Sequence, residues 1–200
     1  MRLFVAVEVP DEVADVLAAL DRPAFEGLRW TTRDQWHVTL RFLGEVPDPE
    51  PVVAALRTVP ALFDASGAES SPSAASPAAS ASTGSVEATI GPVTAWFPGR
   101  HVLHVAVRGL EVLARVTAQA LADAVGADEG DQAGVGDLEA HPFVGHVTLA
   151  RAKGRRPGPA RLAGVPVHVS WSVHTVALMG STLGPGGSKY ETRATVALNT

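Results

Sequence analysis

HVTLRFLG occupies residues 37–44 and HVTLARAK residues 146–153, in a chain with seven histidines. On an extended strand, side chains alternate between the two faces. His37 and Thr39 therefore share one face and Val38 and Leu40 the other, and His146 and Thr148 repeat the arrangement. If the two strands face each other across a groove, two imidazoles and two hydroxyls converge on one small volume. Imidazole titrates near pH ~6.5, so one ring can act neutral as a base and the other protonated as an acid. Each threonine hydroxyl can donate to a phosphoryl oxygen. In-line phosphodiester hydrolysis needs this equipment: a base for the attacking water, an acid for the leaving oxygen, and donors for the charge on the phosphoryl group. That chemistry calls for no cofactor and no metal ion. Either motif alone reads as an ordinary half-buried strand, where threonine is common and histidine occasional. The pair, at matching places in two halves, favours chemistry.

Two hundred residues suffice for one sizeable domain or for two small lobes sharing a core. Hydrophobic residues make up 46% and charged ones 18%, the balance of a soluble globular protein. No apolar run approaches the ~18 residues a membrane span requires. The opening MRLFVAVEVPDE reaches Glu8 after a short apolar run and reads as a first strand, not a signal peptide. With no cysteine there is no disulfide framework, thiolate metal site or catalytic thiol, and a cytoplasmic protein is expected. A net charge of −5 argues against a general nucleic-acid coat but allows an enzyme that grips one phosphate. The basic run RAKGRR at 151–156, followed by Arg161, stands out against that balance, directly after the second motif.

The first half opens with a strand at about 2–9 and a helix from Asp11 that carries Val13, Val16, Leu17 and Leu20 on one face. A short extended piece, LRWTT, leads to the first motif strand at about 36–43. A second helix starts near Asp48-Pro49-Glu50, buries Val52, Val53 and Leu56, and is limited by Pro60. Residues 64–85, rich in Ser, Ala and Pro, cannot bury enough surface to offset their ordering entropy and read as a disordered insertion. The second half predicts strands at about 86–94 and 102–108, a helix at 110–125, and a Gly-rich loop at 127–139. The second motif strand follows at about 145–150. VPVHVSWSVHTVALMGS reads as one long or bent strand, and GPGG turns the chain into a closing hairpin partner. The expected class is α+β, a single domain over 1–200 with two pseudo-equivalent lobes.

The paired motifs and their surroundings resemble the 2H phosphoesterase superfamily. The wording is closest to the RNA 2′,3′-cyclic phosphodiesterases, historically called 2′-5′ RNA ligases. Beyond the motifs, the resemblance rests on MRLFVAVEVPDEV, Trp30 ahead of WHVTLRFLGEV, FPGRHVLHVAV, HPFVGHVTLARAK and LMGSTLGPGGSKYETRATVAL. It implies a bilobal fold whose antiparallel sheets line a central cleft, with helices outside. It implies His37 as proton donor to the leaving 3′ oxygen, His146 as the base that activates water, and a 2′-phosphate product. It further implies that Thr39 and Thr148 bind phosphate oxygens and that Arg151 holds phosphate with its planar fork. Strict alternation, however, puts Arg151 on the face opposite His146 and Thr148, so the strand must end, twist or bulge before it. Arg41 shares a face with His37 and Thr39 and is expected as a weaker phosphate contact. Relatives often read PFRPH before the second histidine, whereas this chain reads PFVGH, which removes a positive charge and a rigid turn at Val144 and Gly145.

Other residues are read as structural. His101 and His104 are expected at the surface, His141 in a loop, and His168 and His174 in packing. Trp36, Phe97 and Phe143 are read as core, and LGPGGS as a hairpin turn with no phosphate-loop pattern behind it. The implied partner is an RNA end or a small nucleotide carrying a cyclic phosphate, met by a monomer away from any membrane. Alternatives are a phosphodiesterase for a small cyclic phosphate or a 2′-5′ linkage, with reverse ligation, and an RNA-end binder without turnover.

Overall fold

A computed structural model describes residues 2–66, 86–122, 143–154, 156–184 and 187–198. Residues 67–85 of the insertion expected at 64–85, the loop at 127–139, His141 and the tip of the last hairpin lie outside the described residues. Nine strands form two antiparallel sheets among the described residues. The first has the order β3-β1-β8-β9, from β1 (Arg2–Glu8), β3 (His37–Glu45), β8 (Thr175–Gly184) and β9 (Gly187–Ala197). The second has the order β2-β6-β5-β4-β7, from β2 (Leu28–Trp30), β4 (Val86–Trp96), β5 (Val102–Arg108), β6 (His146–Ala152) and β7 (Val169–Val173). The α-helices that accompany them are α1 (Asp11–Ala18), α2 (Glu50–Leu56), α3 (Val59–Ala65) and α4 (Glu111–Ala122). No described helix is long and apolar enough to cross a membrane.

The fold is α+β with two antiparallel sheets, as expected, but the sheets are not the two sequence halves. β2 comes from the first half and pairs with β6 of the second. The stretch read as one strand over 165–181 is two strands that part at His174. β7 pairs with β4 in one sheet and β8 with β1 in the other. Periodicity could not reveal that break, because apolar alternation runs on through a chain that changes sheets.

β1 is buried at five consecutive positions because it lies inside its sheet. Leu3, Val5 and Val7 join the main core, while Phe4 and Ala6 pack with Ala177 and Met179 on the other face. The main core runs continuously from Val38 and Leu40 through Leu56, Phe63, Leu113 and Leu121 to Val105, Val147 and Leu149. Pro60 does not merely end the second helix. It sits in the first turn of α3, where a missing N–H is harmless, and the helix carries Asp64 and Ala65 beyond the expected boundary. α4 packs against α2, α3 and β3, and so supports the first motif strand from behind.

Candidate active site

β3 is an edge strand and β6 an interior one, and their histidine-bearing faces meet at one cavity of about 380 Å³. His37, Thr39, His146, Thr148 and Arg151 all line it, together with Arg2, Arg29, Thr31, Phe42 and Tyr190. Among the described residues, no Asp or Glu does.

Two bulges decide which arginine enters. In β3, Ala6 pairs with Thr39 and Val5 with Arg41, so Leu40 is an extra residue and the alternation slips by one. Phe42, 58% exposed, then takes the cavity face after Thr39. Arg41, expected on that face, is not among the cavity-lining residues. In β6, His104 pairs with Thr148 and Leu103 with Ala150, so Leu149 is extra. Leu149 and Ala150 are both buried, and Arg151 turns to the cavity. Each motif thus reads His-x-Thr, a slip, then a third cavity residue: aromatic in one sheet, cationic in the other.

The β6 slip has a support that the sequence does not reveal. The Thr31 hydroxyl lies 2.7 Å from the Thr148 carbonyl and 2.9 Å from that of Leu149, donating at the bulge. The same oxygen accepts the Trp36 indole N–H at 2.9 Å. Trp36 immediately precedes His37, so one buried threonine ties the approach to one motif strand to the backbone of the other. Thr31→Val keeps the shape but leaves the indole N–H without its acceptor. It is expected to cost about 1–3 kcal/mol of stability and to lower kcat through a misplaced Arg151. Thermal melting together with kinetics checks this; an unchanged kcat would remove Thr31 from any positioning role.

His146 Nδ1 lies 2.8 Å from the Val144 carbonyl. A carbonyl only accepts, so Nδ1 carries the hydrogen, and the neutral ring keeps its lone pair on Nε2. Gly145 lets the chain make this contact. A Cβ there would collide with the Val107 carbonyl and stand 3.1 Å from the Phe143 ring. Burial lowers the His146 pKa; the Val144 carbonyl opposes this and the Arg151 guanidinium reinforces it. Burial also pushes His37 down to about 4, opposed by the Gln35 backbone and reinforced by His146 and Arg151. His37 Nδ1 is buried without a partner that meets hydrogen-bond geometry, so the Gln35 contact is a weak one.

Each histidine is held by rings. His37 lies edge-on to Tyr190 at 4.7 Å between centroids and 4.9 Å from Phe4. His146 stands perpendicular to Phe97 at 4.9 Å and to His104 at 5.7 Å. His104, expected at the surface, is buried and stacked on Phe97 at 3.8 Å. Its place opposite Thr148 on a neighbouring strand puts it there. Burial, then His146, lowers its pKa as well, with the Val102 backbone opposing. His168 and His174, expected to pack, are exposed, and so is His101. Trp36 and Phe143 pack against or within the core, as read.

Residues 3–78 match the LigT-like phosphoesterase family. No curated protein matches the chain by sequence. Among solved structures, TT0787 of Thermus thermophilus is 28% identical, with 99% of this chain and 98% of that one covered and a TM-score of 0.71. E. coli LigT in its apo form is 22% identical over 98% of this chain and 96% of that one, with a TM-score of 0.61. The MHV ns2 PDE domain shares the fold at 14% identity, covering 96% of this chain and 99% of that one, with a TM-score of 0.52. The chain is thus similar to the LigT-like phosphoesterases over residues 3–78, and over its whole length it shares the fold of TT0787 and E. coli LigT.

Proposed function

We propose that this protein hydrolyses the 2′,3′-cyclic phosphate at an RNA end to a 2′-phosphomonoester, without a metal ion. The observation that carries this reading is the convergence of His37, Thr39, His146, Thr148 and Arg151 on a cavity whose described lining lacks a carboxylate. His146, with its lone pair on Nε2, takes a proton from the attacking water. His37 returns one to the leaving 3′ oxygen. Thr39, Thr148 and Arg151 hold the phosphoryl oxygens as charge develops on them. Arg41, which is not among the cavity-lining residues, is given no role in this reading. The chain acts as one domain over 1–200, a monomer in the cytoplasm. E. coli LigT, 20–23% identical, has been crystallised with ATP, 3′-AMP and NADP+, which supports a nucleotide as the group that enters.

The test is a short RNA ending in a 2′,3′-cyclic phosphate, incubated in EDTA with the product identified. A 2′-phosphate supports the proposal. Binding without turnover would favour an RNA-end binder, and a 3′-phosphate product would reverse the assignment of the leaving oxygen.

The lowered pKa values give the reaction a distinctive pH profile. A base benefits from staying neutral; an acid must regain its proton when anionic phosphate lies between the rings, because opposite charge favours imidazolium. In the free protein the acid is thus the group of lower pKa: His37 at about 4 against His146 nearer, though below, its ordinary value. The productive fraction rises with pH up to about 4, levels, and falls once pH exceeds the His146 value, roughly tenfold per unit. kcat/KM is therefore expected to peak below pH ~6.5, with kcat, which reports the complex, peaking at higher pH. A kcat/KM that stays level from pH 7 to 9 would show that His37 is not the acid.

A further inference from the structure

The cavity holds more positive charge than one cyclic phosphate, a monoanion, requires. Arg2, Arg29 and Arg151 all line it, without a lining carboxylate among the described residues, in a chain of net charge −5. Arg29 and Arg151 are direct partners across β2 and β6, so they share a face. Like charges placed opposite each other on neighbouring strands are destabilising. An anion lying against both would offset that repulsion.

Arg29 also reaches across to the first sheet. Its guanidinium lies against Gly187 at the start of β9, where an added Cβ would overlap Nη1. Gly187 has φ of +104°, a conformation glycine alone adopts without strain. A backbone from the first sheet thereby holds an arginine of the second. Arg2, on the cavity face of β1, stands beside Ser181, which pairs in turn with Tyr190. Tyr190 is the ring against His37. The cations thus extend from the scissile-phosphate end at Arg151, by way of Arg29, and flank the cavity again at Arg2.

We infer that Arg29 and Arg2 form a second anion subsite, which takes a further phosphate of the substrate: the one on the 5′ oxygen of the nucleotide whose 2′,3′-cyclic phosphate is opened. In RNA this is the last internucleotide phosphate. The inference rests on the proposed hydrolysis and deepens it: the preferred substrate carries two phosphates on one terminal nucleoside, and a nucleoside 2′,3′-cyclic phosphate without the second is a poor one. Two guanidiniums suit a phosphate because each presents a planar fork of donors.

The experiment compares adenosine 2′,3′-cyclic phosphate with the same compound bearing a 5′-phosphate, in wild type, Arg29→Gln and Arg2→Gln. The quantity read is the factor by which the 5′-phosphate raises kcat/KM. Wild type is expected to show at least about tenfold, the effect of one charge-assisted contact, and each variant to lose most of it. The absence of a gain in wild type overturns the subsite, as does a gain that survives both substitutions. An equal fall on both substrates in Arg29→Gln assigns that residue to the scissile phosphate and overturns the inference. Arg2→Gln, at an exposed strand end, keeps the test open if Arg29→Gln fails to fold. If wild type hydrolyses neither compound nor the RNA end, the functional reading fails on its own. Calorimetric binding of adenosine 2′,5′-bisphosphate against adenosine 2′-phosphate then decides: tighter binding of the bisphosphate, lost in the variants, sustains the subsite, and equal affinity overturns it.

Discussion

His146→Ala and His37→Ala are each expected to lower kcat/KM on an RNA 2′,3′-cyclic phosphate by about 10²–10⁴-fold, the usual worth of a positioned acid or base. The double variant should be little worse than either single one, because an acid and a base acting in one transition state are not additive. The two losses should differ in their pH signature. Without the base, the rise of kcat/KM toward pH 4–6 flattens; without the acid, the fall at higher pH disappears. Neither side chain is a large apolar part of the core, so melting temperatures should move little and the folded fraction can be checked directly. A His146→Ala enzyme retaining a third of wild-type activity would leave the pair without a catalytic role.

Arg151→Gln is expected to cost about 10²–10³-fold in kcat/KM, the range seen when one preorganised donor to a developing oxyanion is removed. Arg151→Lys should recover only part of that, because an ammonium restores the charge but not the two-pronged donation. Arg41→Gln is the comparison. It lies outside the cavity lining, so its effect on kcat/KM should stay within a few-fold. Steady-state kinetics on the three variants settles the matter. If Arg41→Gln proved the more damaging, the bulge in β3 would not be what separates the two arginines. Arg151 also lowers both histidine pKa values, so its loss should move the kcat/KM optimum toward neutral pH.

The contrast between these arginines marks the limit of what local spacing can say. Period-two alternation places His37 with Thr39 and His146 with Thr148, because those pairs lie within unbroken pleat. Two residues past Thr39 and three past Thr148, the same rule puts Arg41 into the site and Arg151 out of it. Both placements reverse in the structure, because each motif strand carries an extra residue right after its motif, at Leu40 and Leu149. A bulge is set by the partner strand's register and by side chains elsewhere, here the Thr31 hydroxyl on the Thr148 and Leu149 carbonyls. Neither is written in the local spacing.

His104 escapes sequence reading for a related reason. A histidine two residues into a strand after a turn looks exposed until that strand is known to lie between β4 and β6 with Phe97 against it. Arg29 gives no signal of its own, because a three-residue strand offers almost no periodicity and its pairing partner lies far along the chain. The hairpin backbone at Gly187 that seats its guanidinium is more distant still.

The sequence by itself therefore determined the α+β class, the two motif strands and the identity of the four side chains on their shared faces. These follow from short-range alternation, helical spacing and chemical type, which operate within a few residues. Only the tertiary structure decided which arginine faces the cavity, which ring nitrogen of His146 keeps its lone pair, and that β2 and β8 cross over to the other half's sheet. Those depend on register, burial and carbonyls brought in from remote strands, and they exist only once the two sheets have closed on one cavity.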